Sequence, residues 1–164
     1  MNKKAEKYFI KADKYLENNK LKKALKYFLK AEFKEKGYCS LNVGYTYDRL
    51  AWRVGNKYRK KARLWYKYTI KNNDITGYSN LGCMYREAYK FKKAKKMFKK
   101  AIKKGDNEVA YELAKLYLLE GKINKAIKLL KIFKGDRLLL SISEGGQEDA
   151  LELLKKIEKH IGII

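Results

Sequence analysis

One spacing runs through this chain four times. After Gly82 come Tyr85, Ala94, Phe98 and Ala101, at steps of 3, 12, 16 and 19. Ala12 is followed by Tyr15, Ala24, Phe28 and Ala31 at the same steps, and Ala114 by Tyr117, Ala126, Leu130 and Phe133. Gly44 and Tyr47 open a further copy in which Ala62, Tyr66 and Thr69 arrive six residues late. A small residue lets two helices approach closely, and a large one a turn away fills the gap beside it, so each copy predicts a pair of antiparallel helices. The second-helix residues Ala24, Ala62, Ala94 and Ala126 stand 38, 32 and 32 apart, a period that marks a repeat array. Ala150, Leu154 and Ile157 restate the pattern only 24 residues later, as a shortened closing unit.

Turn residues fall where this scheme needs them. Asn18-Asn19, Gly55-Asn56, Gly121 and Gly145-Gly146 are expected to separate helices within pairs. Gly37, Asn72-Asn73-Asp74, Gly105-Asp106 and Gly135-Asp136 are expected to separate pairs, each Gly-Asp reading as a helix stop followed by a new cap. The chain contains no proline, in keeping with almost continuous helix. The expectation is one all-α repeat domain over 1–164. Its repeats lie near 3–36, 37–73, 74–105 and 106–135, with a capping hairpin over 136–164.

The small-large spacing resembles the tetratricopeptide repeat. The phrases DITGYSNLGCMY, RLWYKYTIKNND and KGDNEVAYELAKLY are similar to the related Sel1-like repeat, as is the long step from Gly44 to Ala62. The resemblance covers nearly the whole chain and is clearest over 79–106. It departs from the family in lacking prolines between repeats, in placing Lys11 before the small Ala12, and in its short last unit. It implies a right-handed α-solenoid whose first helices line a concave groove and whose second helices form the back.

By the same resemblance, groove residues sit two before, one after, and four to five after each small residue. That selects Asn42, Tyr45, Asp48 and Arg49, then Asn80, Cys83, Arg86 and Glu87. Asp13, Leu16 and Glu17 join from the first repeat, and Glu112, Lys115, Leu118 and Leu119 from the fourth, with Tyr111 beside Glu112 added to the candidate groove. The carboxamides of Asn42 and Asn80 can each donate to a peptide carbonyl and accept from its N–H, or can bond their own helix backbone instead. Arg49 and Arg86 can receive a carboxylate, or pair with Asp48 and Glu87. A protein or peptide partner is therefore the first function class, and the chain is expected to be a non-enzymatic adaptor.

Charge supplies the second. The chain holds 41 Lys and Arg against 18 Asp and Glu, for a net charge of +23. The stretches 20–31, 53–73, 88–105 and 121–135, which cover the second helices and their approaches, carry 27 of those cations and no acid. Like charges four apart repel on a helix, so the segregation predicts a cationic back. Lys92, Lys93, Lys96, Lys99, Lys100 and Lys103 are its candidates for binding nucleic acid or another polyanion through phosphate contacts. The aromatics interleaved with them, Tyr27, Phe28, Trp65, Tyr66, Phe98 and Phe133, recur at helical spacing and read as core.

Other chemistry has little to stand on. Cys39 and Cys83 are far apart, the one histidine is His160, and no phosphate-binding glycine loop is present, so neither a metal, a cofactor nor a catalytic pair is expected. The N-terminal residues mix charge into their apolar positions, and no run approaches the ~20 apolar residues of a membrane span, which predicts a cytoplasmic protein.

Overall fold

The computed structural model describes residues 2–137, and Lys159 by itself. The closing unit expected over 136–164 lies almost wholly outside them, as does His160. The chain divides into two compact units, Met1–Met84 and Tyr85–Ile164.

In the first unit, α1 (Lys3–Glu17) packs on α2 (Leu21–Lys34), and α3 (Ser40–Val54) packs on α2 and on α4 (Arg59–Lys71). Helix α5 (Thr76–Glu87) begins there and ends in the second unit. The second unit contains α6 (Phe91–Lys103) against α7 (Ala110–Leu118), which in turn packs on α8 (Ile123–Arg137). Among the described residues every regular element is helical. Asn2 starts the first helix by accepting hydrogen bonds from the Lys4 and Ala5 N–H groups.

The repeated spacing is the core. Ala12, Ala24, Ala62, Ala94, Ala114 and Ala126 have no exposed surface, and Phe28, Tyr66, Phe98 and Leu130 fill the space beside the second-helix alanines. Burying each such large side chain contributes about 1.5–3 kcal/mol. Thr69 occupies the place of Ala31 and Ala101; its buried hydroxyl lies 3.2 Å from the Ser40 hydroxyl and 3.0 Å from the Trp65 carbonyl, so the substitution costs no lost partner.

Among the described residues, three of the four hairpins close identically. The N–H groups of Lys20, Lys90 and Lys122 donate to the carbonyls of Tyr15, Tyr85 and Tyr117 at 2.8, 2.8 and 2.9 Å, the six-residue closure of a Schellman turn. The residue before each donor is left-handed: Asn19 at φ 56°, Tyr89 at 55° and Gly121 at 68°. Asn and Gly take that conformation readily, whereas for Tyr it costs about 1–2 kcal/mol. Tyr89→Gly is therefore expected to raise stability by about 1 kcal/mol in urea unfolding. A loss would mean that the edge-on contact of Tyr89 with Phe91 outweighs the backbone strain.

The second hairpin differs as its spacing does. Helix α3 runs seven residues past Tyr47, and a single 3-10 turn over Asn56–Tyr58 follows Gly55, which together absorb the six extra residues before Ala62. One expected stop is corrected: Gly135 and Asp136 lie inside α8, which continues to Arg137. A glycine within a helix costs only about 1 kcal/mol, and here it does not end one.

Candidate functional site

Helix α3 aligns Asn42, Tyr45, Arg49 and Trp52 along one face, at i, i+3, i+7 and i+10. Tyr45 is 44% exposed, with the Arg49 guanidinium 5.8 Å above its ring. That guanidinium donates to the Asn19 Oδ1 at 3.1 Å, and Arg53 reaches the Asn19 carbonyl at 3.4 Å, so the first hairpin's turn holds both arginines. Trp52 is 63% exposed and carries the Arg59 guanidinium 5.2 Å from its ring. Reading only offsets from Gly44 missed Trp52, although its place two turns after Tyr45 marks it.

Asp48 is half-buried on the same helix, and Cys83 half-buried on α5. The Asn80 carboxamide donates to the Thr76 carbonyl at 2.9 Å within its own helix, leaving its oxygen and its second N–H. Arg86 forms an ion pair with Glu112 and lies 4.0 Å from Glu87. Lys115 sits 3.0 Å from the other Glu112 oxygen and 4.4 Å over the Tyr111 ring. The second unit thus gathers Arg86, Glu87, Tyr111, Glu112 and Lys115 into one network.

On the second helices, Lys92, Lys93, Lys96, Lys99, Lys100 and Lys103 are all exposed on α6. Their charge is relieved partly by rings. Lys23, Lys61, Lys93 and Lys125 each immediately precede the small second-helix residue, and each lies over the tyrosine of its own hairpin: Tyr15 at 5.7 Å, Tyr47 at 5.6 Å, Tyr85 at 5.9 Å and Tyr117 at 5.9 Å. Lys99 also sits 5.8 Å over Tyr117. Lys95 pairs with Glu120, whose carboxyl is held down at about 2 by hydrogen bonds from Lys122 and Lys95. A constant step of eight from Tyr to Lys was the sequence signal for this lattice, interrupted only by the six extra residues of the second copy.

Of the aromatics expected in the core, Phe28, Tyr66 and Phe98 are buried, whereas Tyr27 and Trp65 are only half-buried. Tyr27 faces outward beneath cations, with Lys11 4.8 Å and Lys30 5.3 Å from its ring. Phe133 lies in a stretch whose side chains are not described.

Solved structures of low sequence identity share this architecture. A tetratricopeptide repeat protein from Parabacteroides merdae superposes with a TM-score of 0.69 at 16% identity, covering 97% of this chain; the chain spans 62% of that protein's length. The chain has the tetratricopeptide-repeat fold. A crystal structure of the MamA protein matches the same fold at TM-score 0.65 and 17% identity, over 99% of this chain and 90% of the other. So does a putative kinesin light chain of Podosopora anserina with nearly identical tetratricopeptide-like repeats, at TM-score 0.65 and 12% identity, over 99% and 90%. No family model matches the sequence, and neither does any curated protein.

On this tetratricopeptide fold, no group of three or more His, Cys, Asp or Glu among the described residues is placed to hold a metal. The Cys39 thiol is pushed up to about 12, first by burial and then by the nearby Glu32 charge, the opposite of an activated nucleophile. No described helix is long and apolar enough to cross a membrane.

Proposed function

We propose that this chain is a non-enzymatic adaptor that grips a segment of another protein on its first-helix face, through Tyr45 and Trp52, with Asn42 on the same helix and Asn80 on α5 as further contacts. The observation that carries the reading is the pair of exposed rings two turns apart on α3, each under a guanidinium. Rings held this way offer large contact area at little cost in side-chain entropy, and aromatic and arginine residues dominate binding energy at protein interfaces. Arg49, tied to Asn19, stays in place when the partner arrives. Asp48 and Cys83, in the same unit, would extend the contact, and Arg86, Glu87, Tyr111 and Lys115 form a candidate surface of the second unit by itself.

A second reading has its own observation. Exposed Lys92, Lys96, Lys100 and Lys103 share a helix that contains no acid, an arrangement suited to a phosphate backbone or another polyanion. A single experiment separates the two. The wild-type chain and Tyr45→Ala with Trp52→Ala are each used to pull down partners from host lysate, with and without nuclease, at two salt concentrations. The expected result is a protein retained after nuclease by the wild type and lost by the double variant, whose melting temperature stays close to wild type because both rings are exposed. Retention that vanishes with nuclease, falls steeply with salt and ignores the double variant would replace the first reading with the second.

A further inference from the structure

A cleft of about 520 Å³ lies between α2 and α4, away from the first-helix face. Half-buried Leu29, Trp65 and Tyr68 line it, together with Phe33 at 81% exposure and Leu64 at 62%. Apolar residues left in water at this density mark a place where something docks. Nothing in the repeat spacing asks for them, since Phe33 and Leu64 are not among the positions that fill the core.

Charge decides the occupant. Lys36 lines the cleft, and the helical register puts exposed Lys26 one turn from Leu29, Lys60 and Lys67 one turn either side of Leu64, and Lys71 one turn beyond Tyr68. The two acids at the end of α2 are both engaged by backbone. Glu32 accepts from the Gly37 and Cys39 N–H groups, and Glu35 from the Asn2 N–H at 2.8 Å. A second copy of a chain carrying +23 would bring one cationic rim against another. A lipid surface takes up protruding groups such as Phe33 and Leu64 but leaves half-buried Leu29, Trp65 and Tyr68 unfilled between the two helices, whereas side chains standing off a narrow ridge reach all five. We infer that the α2–α4 cleft is a second docking site, which takes an acidic amphipathic helix of a partner protein, its apolar ridge in the cleft and its Asp and Glu residues against the lysine rim.

The probe is a labelled synthetic peptide with Leu and Phe at i, i+3, i+4 and i+7 and Glu elsewhere, titrated against the full chain by fluorescence anisotropy. Saturable binding is expected, weakened roughly tenfold or more by Phe33→Ala with Leu64→Ala and abolished when the peptide's Glu residues become Lys. Circular dichroism checks that the double variant stays folded, which the exposure of both side chains favours. The Tyr45→Ala with Trp52→Ala variant is expected to bind this peptide like wild type, so the site stands or falls independently of the first-helix face. Equal affinity of the Phe33 and Leu64 variant, or equal binding of the Lys peptide, overturns the inference. So does failure to bind the peptide while the same variant loses either binding to phosphatidylserine vesicles or self-association in sedimentation.

Discussion

Glu32→Ala should cost about 3 kcal/mol of folding stability, and should loosen the connection between the first two helix pairs more than any other part of the chain. The carboxylate stands at the end of α2, only 5% exposed. One of its oxygens accepts the Gly37 N–H at 2.5 Å and the other the Cys39 N–H at 2.9 Å, while the Cys39 thiol donates to the Phe28 carbonyl at 3.2 Å. This one side chain therefore satisfies two backbone donors in a loop that makes few other hydrogen bonds. A charge-assisted hydrogen bond contributes roughly 1.5–3 kcal/mol, and alanine leaves both donors without their acceptor. Urea unfolding measures the total, and amide exchange at Gly37 and Cys39 tests the location. A loss below about 1 kcal/mol, or unchanged exchange at those two amides, would show that water replaces the carboxylate at little cost. Gln is no substitute, because one end of its amide presents N–H to N–H.

Gly77→Ala is expected to cost about 2–3 kcal/mol, at the upper end for a single added methyl. A Cβ at this position of α5 would come within 2.8 Å of the Tyr66 carbonyl oxygen, 2.9 Å of Ile70 Cγ1 and 3.1 Å of the Ile70 N. Two of those three atoms are backbone of α4, so relief requires moving a helix and not turning a side chain. Gly44→Ala provides the comparison. Its Cβ would meet the Tyr66 ring at 2.8 Å and the Trp65 Cβ at 3.3 Å, side-chain atoms and no backbone, so the smaller loss belongs there. Thermal melts of the two variants decide the order. If Gly44→Ala melts lower than Gly77→Ala, the close approach that matters is α3 to α4 and not α5 to α4.

The difference between those glycines also shows what could be read in the sequence. Gly44 stands in a series with Ala12, Gly82 and Ala114, and the series exposed it, because helices that pack at one distance need the same residue size at the same step. Gly77 has no such counterpart, since its contact depends on where α5 begins. The core was legible for the first reason: Phe28, Tyr66 and Phe98 are buried at the positions their spacing indicates. The proposed binding residues were less so. Trp52, Phe33 and Leu64 face water, where packing imposes no period, and Trp65, whose spacing reads as core, lines the cleft on α4. Gly135 misled in the other direction, because a helix-stopping tendency of about 1 kcal/mol is smaller than what one helix gains by lying on another.

The lysines that precede Ala24, Ala62, Ala94 and Ala126 bear on the chain's net charge. An aromatic ring has a quadrupole whose face is negative, so it attracts an ammonium and repels a carboxylate placed in the same spot. At these four positions the sign of the charge is thus dictated from inside each hairpin. Acids would be disfavoured there even in a chain that never met a polyanion.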